Sequence, residues 1–192
     1  MRLFASLAWI ALLCSAECVA KSSPNIQCLG KVLVDLLTDI RDSFSCTSAR
    51  RCPANFSDVD GTCLYLDKIR QNSWDDARHV CFTLGGDLAV FPDANAFASA
   101  LRYINSIVDE DTDEVPYIFV GGLDVAEEGV WRWHTGELMP LGAPFWGSSK
   151  TPGLHKQPDG GSLQNCAALN KHDQYYIHDG ECDLNASPLC QF

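Results

Sequence analysis

Positive charge is scarce in this 192-residue sequence: 14 Lys and Arg stand against 25 Asp and Glu, a formal net charge of −11. The shortage is uneven. Residues 21–51 hold five basic and three acidic side chains, whereas residues 52–192 hold eight and twenty-one, a net of −13. A surface of that sign repels phosphate backbones and excludes nucleic acid as a natural partner. It is compatible with cation binding, although acidic solvated surfaces are common. Long apolar runs are also missing beyond the N-terminus, where nothing approaches the eighteen or so residues that a membrane span requires. No internal repeat or low-complexity tract occurs. Nor does any Ser or Cys stand in a recognisable motif with a base, and His134, His155, His172 and His178 are scattered. The sequence therefore reads as a binding protein and not as an enzyme.

What is present begins with residues 1–20, MRLFASLAWIALLCSAECVA, in which basic Arg2 precedes an apolar run from Leu3 to Leu13. Small residues follow, with Cys18 and Ala20 at the positions a signal peptidase reads. This is the pattern of a secretory signal peptide, and it predicts a soluble, extracellular mature chain of 172 residues. Cleavage after Ala20 leaves eight cysteines, an even number suited to disulfides; cleavage after Ala16 would leave Cys18 as an odd ninth. We take the even count.

Residues 21–51 read as an N-terminal extension. Ile26, Leu29, Leu33, Leu36 and Ile40 recur in steps of three and four, giving an amphipathic helix within 26–44 that either pairs with a partner helix or packs on its own domain. A polar linker with an exposed Arg50-Arg51 pair follows.

A second unit, 52–192, starts at Cys52. Its predicted strands are Thr62–Leu66, Asp87–Phe91, Tyr117–Val120, the alternating Val130–Trp133, Cys166–Leu169, Tyr175–Ile177 and Leu189–Phe192. Ser73-x-x-Asp76 resembles a capping box opening a helix with Trp74, Ala77, Cys81 and Leu84 on its inner face. A second helix after Asp93 turns Phe97, Leu101, Ile104 and Val108 inward. The acidic run Asp109–Glu114 reads as a solvated loop. Residues 134–165, rich in Gly, Pro and Ser, form a long loop of the kind that is usually functional; Phe145 and Trp146 within it argue for packed order.

Several motifs in this unit resemble those of the C-type lectin family, in the long form of its domain. Cys52-Pro53 with Cys63-Leu64-Tyr65 resembles the extra hairpin of that form. Trp74-x-x-Ala77-x-x-x-Cys81-x-x-x-Gly85-Gly86-x-Leu88 resembles the first helix and its exit. Val120-Gly121-Gly122-Leu123 stands at the central tetrapeptide, with Val120 for the usual Trp, and Trp131-x-Trp133 and Gly136 follow in order. Cys166-x15-Cys182-x7-Cys190 matches the terminal cysteines. The resemblance implies an α+β fold, two helices flanking antiparallel sheets with a long ligand-binding loop. It also implies three bridges: Cys52–Cys63, Cys81–Cys190 and Cys166–Cys182.

In calcium-binding members, a Gln-Pro-Asp or Glu-Pro-Asn tripeptide with a cis proline supplies two oxygen ligands. Carried over, Gln157 and Asp159 are those ligands, Gln164 stands where Glu is usual, and His178-Asp179 where Asn-Asp is usual, after Ile177 in place of Trp. The same five residues, Gln157, Asp159, Gln164, His178 and Asp179, would contact carbohydrate, and Gln-Pro-Asp goes with galactose-type sugars. Calcium prefers six to eight oxygens. Two carboxylates, with a histidine better suited to zinc, imply a weakened calcium site. Gly160-Gly161 supplies no aromatic face for a sugar ring, leaving Tyr175, Tyr176 or His155 for that role. An auxiliary site at Asp124 and Glu128, with Gly160 and Asn165, reads more simply as an acidic loop.

The expectation is a secreted lectin that recognises glycans on microbial surfaces or glycoproteins, in the manner of innate-immune lectins. The alternative is a calcium-independent domain of the same fold that binds a protein ligand. Asn55-Phe56-Ser57 is the preferred N-glycosylation sequon, since Asn185-Ala186-Ser187 sits between bridged cysteines before Pro188. Cys28 and Cys46 are left over, 18 residues apart with a helix between them. An unbroken helix would separate them by about 27 Å, against the roughly 7 Å that a disulfide tolerates. Either the helix breaks and the bridge is internal, or the two link chains into a homo-oligomer; we favour the interchain link.

Overall fold

The computed structural model describes residues 52–109, 111–149 and 155–192. The signal peptide (1–20), the helical extension and linker (21–51), Cys28, Cys46 and Arg50-Arg51 lie outside the described residues.

Strands β1 (Ser57–Val59) and β2 (Thr62–Leu66) form a hairpin that turns at Asp60 and Gly61. Both turn residues have positive φ, 51° and 88°, as a two-residue hairpin turn of the right twist demands. Helix α1 (Trp74–Thr83) begins where predicted: the Ser73 hydroxyl accepts from the Asp76 amide and donates to the Asp76 carboxylate. Its inner face is Trp74, Ala77 and Cys81, and the Trp74 indole N–H donates 2.8 Å to the Val120 carbonyl across the core. The chain leaves through Gly86, where a Cβ would stand 2.3 Å from the Gln191 carbonyl oxygen. Only glycine allows that approach. After β3 (Asp87–Leu88), helix α2 (Ala94–Ile107) is capped by Asp93, whose carboxylate accepts from Asn95 and Ala96. It buries Phe97, Ser99, Ala100 and Ile104; Val108, predicted on this face, is the buried residue that ends the helix.

The remaining strands are β4 (Tyr117–Leu123), β5 (Arg132–Trp133), β6 (Ser148–Ser149), β7 (His155–Lys156), β8 (Cys166–Asn170), β9 (Tyr176–Gly180) and β10 (Ser187–Gln191). Among the described residues, one eight-stranded sheet runs β1-β2-β10-β4-β8-β9, with β3 on β10 and β5 on β4, and β6-β7 forms a separate hairpin. The sheets are antiparallel as expected except where β10 and β4 run parallel, and the isolated Trp146–Ile177 bridge is parallel as well. Two apolar clusters fill the molecule. The larger packs α2 against the sheet around Phe91, Trp131, Trp133, Ile177 and Leu189. The smaller lies under α1 with Trp74, Leu88 and Phe119. All three bridges form as the resemblance implied: Cys52–Cys63, Cys81–Cys190 and Cys166–Cys182.

Several predicted strands are drawn differently: Val130–Trp133 shortens to Arg132–Trp133, Leu189–Phe192 shifts to Ser187–Gln191, and three more change as follows. The strand expected over 87–91 pairs only through Leu88, although Ala89 still donates to Leu189 and accepts from Gly121. The strand expected over 117–120 continues through Gly121 and Gly122, where a Cβ would meet the His134 ring and the Met139 sulfur at 2.3 and 2.4 Å. Here the glycines admit neighbours instead of breaking the strand. The strand expected at Tyr175–Ile177 begins at Tyr176 and runs to Gly180, taking in His178 and Asp179.

Candidate functional site

The first part of the long loop is anchored by burial of Phe145 and Trp146, the Trp131 and Trp146 rings meeting edge to face at 4.9 Å. Trp146 then lies beside Ile177, and backbone bonds run in both directions: Ile177 N–H donates to the Phe145 carbonyl, and Gly147 N–H to the Ile177 carbonyl. The loop thus rides along β9 and delivers the Gln157-Pro158-Asp159 tripeptide next to it. The Gln157–Pro158 peptide is cis, the form that the resemblance implied.

Gln157, Asp159, Gln164, His178 and Asp179 all line one cleft of about 490 Å³. Asp179, nearly buried, grips the loop backbone: its two oxygens accept from the Asp159 N–H at 3.0 Å and the Gly160 N–H at 2.7 Å. Burial pushes its carboxyl above the ordinary value, the Asp159 charge adds to the rise, and the two amides oppose it. The Asp159 carboxylate accepts from the Ser149 hydroxyl at 3.1 Å. Gln157 is 7% exposed, and its Oε1 is buried without a hydrogen-bond partner. The Gln164 side chain folds over Gly160, filling the space where a Cβ would stand.

His178 is already occupied. Its Nε2 lies 2.9 Å from Asp173 Oδ2 and its Nδ1 3.4 Å from the Asn170 amide nitrogen. Among the residues considered for a sugar face, Tyr175 is taken into the core with its hydroxyl donating to the Val115 carbonyl; Tyr176 is half-buried against Phe97, and His155 is exposed. Tyr117, Ser149, Asn170, Glu181 and Leu184 also line the cleft and were not singled out from the sequence. Nothing in their spacing marks them; only the packing of β4, β8 and the loop after β9 brings them in.

The donor set fits a hard cation loosely. A buried amide oxygen without a partner is what an oxygen-seeking ion would satisfy. Against it, only two of the predicted ligands, Asp159 and Asp179, are carboxylates, Glu181 being the third carboxylate on the cleft wall, and no group of three His, Cys, Asp or Glu among the described residues is placed to hold a metal. Of the auxiliary pair, Asp124 is buried with one oxygen accepting from Gly129 N–H at 2.9 Å, while Glu128 is exposed. No described helix is long and apolar enough to cross a membrane.

Mouse tetranectin is 32% identical over 135 residues, 70% of this chain and 61% of that protein. The chain covers only 38–42% of two further curated relatives. In fold it is similar to the C-type lectin CEL-I from Cucumaria echinata (TM-score 0.59, 17% identity, covering 74% of this chain and 97% of that one). It is similar also to a calcium-independent type II antifreeze protein (TM-score 0.55, 20% identity, 74% and 94%). Residues 70–192 match the Lectin C-type domain, and with the fold and the three bridges in place the chain belongs to the C-type lectin domain family.

Proposed function

We propose that this chain is a secreted carbohydrate-binding lectin whose cleft takes calcium and then the paired hydroxyls of a sugar, of galactose type or on microbial glycans. The observation that carries the reading is the buried, unpartnered Gln157 Oε1 facing the same cleft as Asp159, Gln164 and Asp179. These four are the proposed ligands and sugar contacts. His178 joins them only by giving up Asp173. Calcium would supply a positive centre that orients hydroxyl oxygens, while the amide and carboxylate groups around it donate to and accept from the same hydroxyls. With two carboxylates, affinity should be low.

The test is calorimetric titration of calcium, followed by a glycan array with and without chelator. Asp159→Ala should abolish calcium-dependent glycan binding and leave the protein folded, since the bridges and both cores are untouched. Chelator-resistant binding in that variant would favour the second reading, a protein ligand bound without calcium. One observation supports that reading: both oxygens of Asp179 are already taken by the Asp159 and Gly160 amides of the loop.

Secretion is proposed from residues 1–20, and the three bridges suit an oxidising compartment. Asn55, exposed in its turn, is the proposed glycan attachment site. Cys28 and Cys46 are proposed to link chains, which would give a multivalent agglutinin avidity without new contacts. Non-reducing electrophoresis should then show a dimer or larger species that collapses on reduction, and a monomer without free thiols would refute the link.

A further inference from the structure

Between β8 and β9 the chain turns through Lys171–Asp173 and then through Gln174 and Tyr175, whose φ values are 56° and 60°. Two consecutive non-glycine residues in the left-handed region are costly, and such strain persists only where the surroundings enforce it. The Asn170 side chain accepts from the His172 amide, and the buried Tyr175 donates its hydroxyl to the Val115 carbonyl. The turn delivers Asp173. Its Oδ2 accepts from the Ser148 amide at 2.8 Å and lies 2.9 Å from His178 Nε2. The fit is close enough that a Cβ on Gly147 would stand 2.0 Å from this oxygen and 2.8 Å from the histidine nitrogen.

Two contacts carry the position of Ser148 onward to the tripeptide. Neighbouring Ser149 donates its hydroxyl to Asp159, and Gly147, on the other side, accepts from the Gln157 amide at 3.1 Å. Asp173 touches His178 but neither Gln157 nor Asp159, yet it fixes the segment that these two lean on.

We propose that Asp173 is a positioning residue for the candidate cleft: through Ser148 it holds the loop at the place where Gln157 and Asp159 converge on a ligand. The consequence for binding rests on the calcium-dependent reading above; the clamp itself does not.

The experiment is backbone amide hydrogen exchange, read by NMR on the full mature chain without calcium, with calcium titrated in parallel. Asp173→Ala should speed exchange of the Ser148 and Gln157 amides by about tenfold or more while amides in α1 and β4 keep their rates. Asp173→Asn, which retains an acceptor for the Ser148 amide, should restore most of the protection. Gly147→Ala should reproduce the loss from the opposite side of the contact. In parallel, Asp173→Ala should weaken calcium binding about tenfold, with Asp173→Asn in between. Unchanged Ser148 and Gln157 exchange in Asp173→Ala overturns the clamp, as does faster exchange spread equally over α1 and β4. Faster loop exchange with undiminished calcium affinity overturns the positioning role. If the wild-type protein takes up no calcium, the calcium-dependent reading fails, and the exchange of the two loop amides alone decides the clamp.

Discussion

At the scale of the residue, Asp60 and Asp113 show how single carboxylates tie loops to helices. Asp60 accepts from the Ser99 hydroxyl at 2.6 Å and the Arg102 guanidinium at 2.7 Å, and these bonds, Ser99 first, hold its carboxyl below the ordinary value. Asp113 is lowered chiefly by the Lys68 ammonium at 2.6 Å and then by the Asp109 amide. A carboxyl lowered in the folded state stabilises the fold above its unfolded value, about 3.9 for Asp. That contribution is lost as pH falls through the lowered value. Urea midpoints should therefore drop as pH falls from about 5 toward 2. Asp113→Asn should make the drop shallower; because both groups are solvent-accessible the change is small. An identical slope in wild type and variant would remove Asp113 from the account. The residue scale is also where the sequence was most opaque. Gln157 and Asp159 are legible because a motif names them. Asp173 is not, since its partner Ser148 lies 25 residues away and nothing in local spacing joins them.

At the scale of the element, periodicity served well for helices and less well for strands. The steps from Trp74 to Ala77 to Cys81 gave α1 together with its cap, because a helix buries one stripe and its ends need side-chain partners. The strand over Tyr175–Ile177 was displaced because an apolar pair, Tyr175-Tyr176, looks extended in sequence while the first of them is left-handed. The polar His178-Asp179 that follows looks like loop, yet it is strand, since it pairs with Ala168 and Ala167 of β8. Gly86 belongs to this scale as well. It lets the exit of α1 press on the backbone of β10, so Gly86→Ala should force the two apart and lower stability by about 1–3 kcal/mol. Chemical denaturation measures this, and a loss within about 0.5 kcal/mol, the range of an ordinary surface change, would mean that the contact yields freely.

At the scale of the whole molecule, the bridges differ in what they constrain. Cys81–Cys190 spans 109 residues and Cys52–Cys63 spans 11. In the chain-entropy account a loop of the first order restricts the unfolded chain by about 4.7 kcal/mol and one of the second by about 3 kcal/mol. Replacing both cysteines of the long bridge by alanine should lower the denaturation midpoint more than the same change in the short one. The reverse order would show that native packing, and not chain restriction, sets their worth. The overall architecture was legible because six cysteines and a string of aromatic and glycine landmarks occur in a fixed order along 52–192. The parallel contact of β10 with β4 was not, because it joins segments far apart in the chain.

The place of β10 also orders the molecule in time. The last of the described strands, residues 187–191, is the one that pairs with β2, β3 and β4 at once. A nascent chain can shape its first hairpin and helices, but it has nothing to lay between β2 and β4 until that strand has emerged. Oxidation of Cys81 with its proper partner must wait for the same moment, since Cys190 lies in that strand. The lectin domain therefore closes only once this strand is out, and until then Cys81 must be kept from pairing with the cysteines that emerge earlier.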